Sequence, residues 1–526
     1  MNMRNQWPVL PLVAGLASGL LTGCGTGTAD SGGTGSSVVV GMSDDILATD
    51  PASGYDPGSW LLFDNVFQSL LSFPKGATEP QPELARQCTF TDSRAMVYQC
   101  RLNNGLKFSN GDPLTSRDVK FSFDRMRKIN DPAGPAIMFP TLGRIDTPDA
   151  TTVVFRLKVP DATFPSKIAS GAGSVVDHRQ YHANGLRTDH QAVGSGPYKL
   201  DSFDGDKAVF SVNDNYRGTA KPRNSGVTVK FFHGDRAALK KALLAGDIDI
   251  AYRGLTASDI AGIEKQDGSK GVNAVEGTSA EVQHLVFNMK DPVAGKLGVR
   301  KAIAHLLDRD ALIKNVYQGT ATPLYSIIPA GIAGHNTAFF DTYGARPSKA
   351  KAAAALRAAG ITGKVKLTLW STPSRYGPAT DEELTAIAGQ LNASGLFDAD
   401  VKSVAFDQYE KDIAAGKYGV YVKGWVPDYP DADNFTAPFF GKGNVLDNNY
   451  SNRTITGTLI PDTAAQSDRG ATDKDFGRLQ DIVADELPVL PVWQAKQYAV
   501  TRDGVYGLEY CLDASTVFRF WELSKS

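Results

Sequence analysis

The chain has 526 residues, 42% of them hydrophobic and 21% charged, with 55 basic and 57 acidic side chains and a formal net charge of −2. Its length suits about three domains of ~150 residues each, and its composition is that of an ordinary packed globular protein. The even charge balance leaves no basic field for nucleic acid or anionic lipid, and no basic cluster interleaves with aromatics, which excludes nucleic acid as a partner.

The first element is a leader. Arg4 precedes an apolar run from Val9 to Leu21 that is too short for a membrane span and has the proportions of a secretory signal. Leu21-Thr-Gly-Cys24 resembles a lipobox, whose cysteine is lipid-modified and becomes the first mature residue. Residues 1–23 are therefore expected to be a lipoprotein signal peptide, Cys24 the lipidated residue, and the Gly/Ser/Thr-rich stretch 24–37 a flexible tether. The body that follows would sit outside a membrane, held by its anchor alone.

Beyond the tether, strand and helix patterns mix throughout. Ser37–Gly41 reads as a strand. Ala48–Trp60 carries Tyr55 and Trp60, which either line a ligand site or are ordinary loop and core residues. Cys88 and Cys100 flank Thr91–Arg94 and can face each other across a hairpin as a disulfide, which an exported protein is free to form. Cys511 remains, and a buried apolar thiol is its simplest role. Leu102, Leu106 and Phe108 lead into the turn Asn110-Gly-Asp-Pro113, after which Ser116 is expected to cap a helix burying Val119, Phe123 and Met126.

Thr152–Leu157 and Val227–Phe232 are further strands. His178 and His182 stand four apart with His190 beyond. No carboxylate occupies the H-E-x-x-H position, and a solvated helix face accounts for the pair, so no metal is expected. Gly194-Ser-Gly-Pro197 is a backbone turn. Asp235 opens a helix with Leu239, Ala242 and Leu243 in register and Gly246 as its stop. Val299–Asp308 is helical with Val299, Ile303, Leu306 and Leu307 on one side. Val365–Trp370 is a strand, and Thr380-Asp-Glu-Glu383 is a capping-box pattern ahead of Leu384, Ile387, Ala388 and Leu391. No repeat, Walker loop or G-x-S-x-G elbow is present, and no internal linker, so the domains are expected to interleave.

The most informative stretch is Gly424-Trp-Val-Pro-Asp428-Tyr-Pro-Asp431-Ala-Asp433-Asn-Phe435, after the strand-like Tyr418–Lys423. Pro427 and Pro430 restrict the loop around Asp428. Trp425 offers an apolar wall and a face that favours cations. A carboxylate held beside an indole suits an ammonium group. Asp431 and Asp433 read as turn residues. Asp431-Ala-Asp433-Asn resembles the start of a calcium loop but lacks the glycine that must follow.

Taken in order, several segments resemble the family 5 extracellular solute-binding proteins, the peptide-binding receptors of ABC importers. They are Asp64–Leu71, Pro82–Ala85, Leu102–Arg125, Gly194–Leu200, Ala245–Ala251, Val299–Arg309 and Gly424–Phe435. Asp64–Leu71 matches the family's early helix. The resemblance implies an α/β, two-lobed periplasmic-binding-protein type II fold with an extra subdomain inserted in the first lobe. Lobe I would comprise 38–287 and 492–526, with the insertion at about 73–193, and lobe II 288–491.

The resemblance further implies a non-enzymatic, cofactor-free, monomeric receptor. It would capture short peptides between its lobes at the outer face of the cytoplasmic membrane and deliver them to an ABC permease. Asp428 matches the aspartate that receives the ligand's α-amino group, with Gly424, Trp425 and Tyr429 around it. Arg375, in Ser371–Pro378, resembles the arginine that holds the ligand carboxylate, and Tyr55 and Trp60 would line the opposite wall. The same fold with an oligosaccharide, opine or metal chelate as cargo is the alternative. A secreted hydrolase pairing Asp428 with a second acid is a more distant one.

Overall fold

The structure is a computed structural model that describes residues 35–266, 268, 271–373, 375–377 and 379–526. The expected signal peptide, Cys24 and the tether as far as residue 34 lie outside the described residues. In chain order the strands used below are β1 (Val38–Met42), β2 (Ala85–Phe90), β3 (Val97–Leu102), β4 (Leu142–Asp149) and β5 (Thr152–Leu157). They continue with β6 (Tyr198–Phe203), β7 (Lys207–Val212), β8 (Gly226–Phe231), β9 (Ile250–Tyr252) and β10 (Val272–Phe287). The last are β11 (Ala321–Pro323), β12 (Val365–Ser371), β13 (Phe397–Ser403), β14 (Val420–Trp425) and β15 (Val489–Arg502). The helices needed are α1 (Pro57–Val66), α2 (Ser116–Ile129), α3 (Arg236–Ala245), α4 (Leu297–Leu306) and α5 (Thr380–Ala393).

One eleven-stranded sheet runs through the body in the order β13-β12-β14-β10-β15-β9-β1-β8-β7-β6, with β11 also on β15. β1 lies parallel between β8 and β9, with Val38 and Val40 fully buried and Val39 partly so, as expected of a strand covered on both faces. β10 and β15 pair antiparallel from Val272↔Arg502 to Val286↔Val489, so they belong to both halves of the molecule. Between Thr278↔Lys496 and Val282↔Gln494 the ladder is irregular, with Ser279, Ala280 and Glu281 facing Ala495 alone. A bulge of this kind bends a strand and re-aims its side chains.

The cores divide at that bulge. Ala280 through Phe287 and Val489 through Trp493 pack with β12, β14, α4 and α5 in one apolar cluster. Val272, Ala499 and Val500 pack with the opposite half. The change of core thus falls in mid-strand, whereas the family resemblance would divide the lobes between residues 287 and 288. Both strands turn polar at the crossing, at Glu276–Ser279 and Gln494–Gln497, between apolar stretches on either side.

A second sheet, β2-β3-β5-β4, stands apart. α2 packs against it over a core in which Phe123 meets Phe139 and Phe155 edge-on, each at 5.3 Å. Cys88 and Cys100 are directly opposed on β2 and β3 and joined as a disulfide.

Helix ends follow local chemistry, with four departures from expectation. Asp235 caps α3 by accepting from the Ala238 N–H at 2.9 Å, and Gly246 closes it at φ 87°, where a side chain would be strained. The cap of α2 is Thr115, not Ser116. Thr115 shares a capping box with Asp118, and Ser116 donates instead to the Asp149 carbonyl at 2.5 Å. Thr380 is the first residue of α5, after Ala379, because the Glu383 carboxylate that would close the box is turned into the core. The early helix is α1, which begins behind the Asp56 cap and ends at Val66, so only the start of Asp64–Leu71 is helical. His178 lies in a turn and His182 in the irregular chain beyond it, so neither is on a helix face. His178 Nδ1 sits 2.6 Å from Asp118, and His182 is exposed. Asp118, Asp177 and His178 bring their ligand atoms within 4.8 Å of one another, with Arg179 2.6 Å from Asp177 and 3.7 Å from Asp118.

Candidate functional site

β14 delivers the Gly424–Phe435 loop from the edge of β10. Gly424 stands opposite Gln283, and a Cβ there would lie 3.0 Å from the Tyr376 ring and 3.2 Å from Gln283 Oε1, so any larger residue would have to displace those side chains. After Trp425 the chain leaves the sheet and folds back on Asn434, a buried side chain that sequence reasoning did not single out. Its Oδ1 accepts from Trp425 Nε1 at 2.9 Å and from the Asp428 N–H at 3.0 Å, and its Nδ2 donates to Asp428 Oδ2 at 3.2 Å. One amide therefore fixes both the indole and the carboxylate. Trp425 packs edge-on against Phe439 at 5.2 Å.

The other Asp428 oxygen accepts from the Tyr55 hydroxyl at 2.5 Å, which joins the loop to the opposite half of the molecule. Burial pushes the Asp428 carboxyl above the ordinary carboxylate range, against the opposing hydrogen bonds from Tyr55 and Asn434 and the charge of Lys167. Lys167 is itself paired with Asp161 at 2.8 Å. Burial and the Asp428 charge together hold the Tyr55 hydroxyl in its neutral form.

The remaining expected site residues fall in three kinds of place. Trp60 lies 5.8 Å from Tyr55 between ring centres and donates Nε1–H to the Gly54 carbonyl, bridging two cores. Tyr429 is buried among the residues of the second sheet, its hydroxyl 3.5 Å from Thr163 and 3.3 Å from Asp433. Arg375 is exposed, its guanidinium 4.9 Å from the centre of the Phe406 ring, with no carboxylate partner among the described residues. Asp431 caps the turn to Asp433 and pairs with Arg469 through both oxygens, at 2.7 and 2.8 Å. Burial raises Asp433 to about 6.

Three further charged groups gather where the parallel strands end, the usual position of a ligand crevice in an open α/β sheet. Asp44 follows β1 and Arg253 follows β9, and Arg253 Nε donates to Asp44 at 2.5 Å. Glu281 comes from the bulge of β10. Its neighbour Val282 pairs with Trp425, so Glu281 stands one rung past that ladder, and its charge acts on Arg253. Behind this wall Glu383 Oε2 accepts from Tyr317 at 2.6 Å, from Trp493 at 3.2 Å and from Gln283. Its Oε1 has no partner among the described residues, and burial raises its carboxyl to about 7.

The profile described as "Bacterial extracellular solute-binding proteins, family 5 Middle" matches residues 79–447. The chain is 26% identical over 481 residues to a dipeptide-binding protein of Escherichia coli K12, covering 86% of this chain and 87% of that one. The solved structure of HbpA2 from Haemophilus parasuis superposes with a TM-score of 0.82 at 21% identity, over 93% of this chain and 100% of the other. The periplasmic binding protein DppA from Helicobacter pylori, in complex with the peptide STSA, gives a TM-score of 0.74 at 22% identity, over 94% and 98%. These likenesses show a two-lobed binding-protein fold.

Proposed function

The chain belongs to the bacterial extracellular solute-binding proteins of family 5, and on that premise we propose that it captures short peptides between its lobes and presents them to an ABC permease. Asp428 receives the peptide's α-ammonium in this reading. The observation that carries it is the position of that carboxylate: fixed by Asn434, half-buried, and touched from the opposite lobe by Tyr55. Relatives that bind dipeptides, and a similar structure that holds a peptide, agree with this cargo. Gly424 and Trp425 complete the pocket around the ammonium, Tyr429 ties the loop to the first lobe, and Tyr55 and Trp60 form the facing wall. Arg375, free on the surface, is available to the ligand's carboxylate end.

The energetics follow from burial. Opposite unit charges ~4 Å apart at an effective dielectric near ~20 attract by about 4 kcal/mol, against the desolvation of both. When the lobes close over nothing, Asp428 keeps only two neutral donors, and its raised proton affinity is the sign of that cost. An arriving ammonium removes the cost, so cargo favours the closed form by differential interaction, and a permease can tell loaded from empty. Backbone pairing of an extended peptide would supply affinity that ignores side-chain identity. The export signal and the Cys24 anchor would place this exchange at the outer face of the membrane.

Titration calorimetry tests the reading. Asp428→Asn is expected to weaken binding of a free-amine peptide by about 2–5 kcal/mol, the cost of truncating one side of a buried charge pair. Acetylating the peptide's amine is expected to do the same to the unaltered protein. Equal affinity in both comparisons would end the assignment.

A further inference from the structure

A cavity of about 410 Å³ opens where α1, the chain that leaves it and the C-terminal segment meet, and its volume is that of a small-molecule site. None of the residues placed around Asp428 lines it. Phe63 and Phe67, both buried, and the half-buried Trp521 supply aromatic walls. Asp64 lines the same cavity and has neither a hydrogen-bond nor an ion-pair partner among the described residues. It is half-buried between Phe63 and Asn65, which are fully buried, and the cavity is the open space it borders. Burial pushes its carboxyl up to about 7, against the charge of Arg519. Arg519 is itself engaged, by Asp513 at 2.8 Å and by the Phe73 carbonyl at 3.0 Å. The other buried acid of the lining, Glu83, accepts from Gln68 at 2.6 Å, Tyr216 at 2.9 Å and Thr219 at 3.2 Å. The exposed end has the opposite sign. Lys75, Lys221 and Arg223 stand there with Glu522, which lies 3.5 Å from Lys75 and 3.4 Å from Arg223. Lys221 has no partner among the described residues. Three cations thus share one carboxylate, while the buried end offers a carboxylate with no cation of its own.

We infer that this cavity is a second binding site, for a small zwitterion with an apolar body, of the amino-acid class: its ammonium meets Asp64 and its carboxylate meets Lys221 and Arg223. An ammonium supplies the partner that the Asp64 carboxylate does not find in the protein, and the ring faces beside it favour the same sign. A guanidinium and an ammonium at the other end suit a carboxylate. The rings between them take the apolar body. A ligand with either charge alone leaves one end of the cavity unmatched.

Titration calorimetry on the purified protein at about pH 8, above the Asp64 value of about 7, compares three compounds. They are L-phenylalanine, phenethylamine, which lacks the carboxylate, and hydrocinnamate, which lacks the ammonium. Phenylalanine is expected to bind about tenfold or more tightly than either. Asp64→Asn, which breaks no hydrogen bond, is expected to abolish the advantage over hydrocinnamate. Lys221→Ala combined with Arg223→Ala is expected to abolish the advantage over phenethylamine. Asp428→Asn is expected to leave phenylalanine binding unchanged. In the unaltered protein, where no variant need fold, absence of saturable phenylalanine binding or equal affinity for all three compounds overturns the inference. So does an advantage that survives Asp64→Asn; if it is lost in Asp428→Asn instead, the amino acid occupies the crevice between the lobes. The peptide reading stands or falls apart from these outcomes.

Discussion

Asp428 is held by donors and not by a cation, and that arrangement makes its proton a competitor of the cargo. Its folded-state carboxyl titrates above the ordinary 3.8, so acid neutralises it and removes the burden of burying it empty. Affinity for a free-amine peptide should therefore rise with pH from the ordinary carboxylate range up through the raised value and level off above it. Asp428→Asn should flatten that slope, and calorimetry across a pH series measures both. Glu383 titrates about 7 against an ordinary 4.5. The folded state holds this proton more tightly than the unfolded chain, so stability falls as pH rises from the lower value through the upper one. At ~1.4 kcal/mol per unit the loss is roughly 3 kcal/mol. Glu383→Gln lacks the titration, so its unfolding free energy should gain on the unaltered protein by about that amount between pH 4.5 and pH 8. Denaturant melts at the two pH values decide it; a constant difference would show that Glu383 is charged throughout. The Trp425 and Asp428 pair was visible in the sequence because both sit in one bracketed loop. Asn434 lies in the same loop but looks like any turn asparagine until the backbone folds back on it. The bulge at Ser279–Glu281 gave no local signal at all, since it depends on how two distant strands fall out of register.

Elements whose ends are settled by near neighbours are legible in the chain. α3 is an example: Asp235 and Gly246 act within a turn of where they stand. The offset at α2 arises because Thr115 and Ser116 are adjacent hydroxyls, and only the extended φ of Thr115, at −136°, selects between them. The missing box at α5 has a tertiary cause. Glu383 answers to Tyr317 and Trp493 instead of to its own helix start, and no local pattern reports that. The β2–β3 pairing is a short-range feature, and the Cys88–Cys100 bond closes a loop with a sequence separation of 12. Replacing both cysteines by serine should lower stability by about 3 kcal/mol on the chain-entropy account. Urea unfolding of the oxidised protein and the variant measures it, and coincident midpoints would mean that the second sheet carries its own stability.

At the scale of the whole molecule, Tyr55 to Asp428 is a bond between lobes, and Ala162 N–H to the Ala464 carbonyl, at 2.8 Å, is another. Tyr55→Phe removes the first donor while keeping the ring. The empty variant should then populate open forms more than the unaltered protein, with a larger radius of gyration in solution scattering, and bound peptide should narrow the difference. Identical profiles for the two empty proteins would show that this contact does not govern closure. The two-lobed plan itself was legible from motifs in family order, because each is a local signature of a turn or helix. The bulge that separates the two cores was not, because it arises from the register between β10 and β15, which lie more than two hundred residues apart in the chain. That crossing has one slack point, where Ser279–Glu281 oppose a single residue. The strands pair on either side of that point, so a modest change of angle there would turn the segments beyond it without unpairing either stretch.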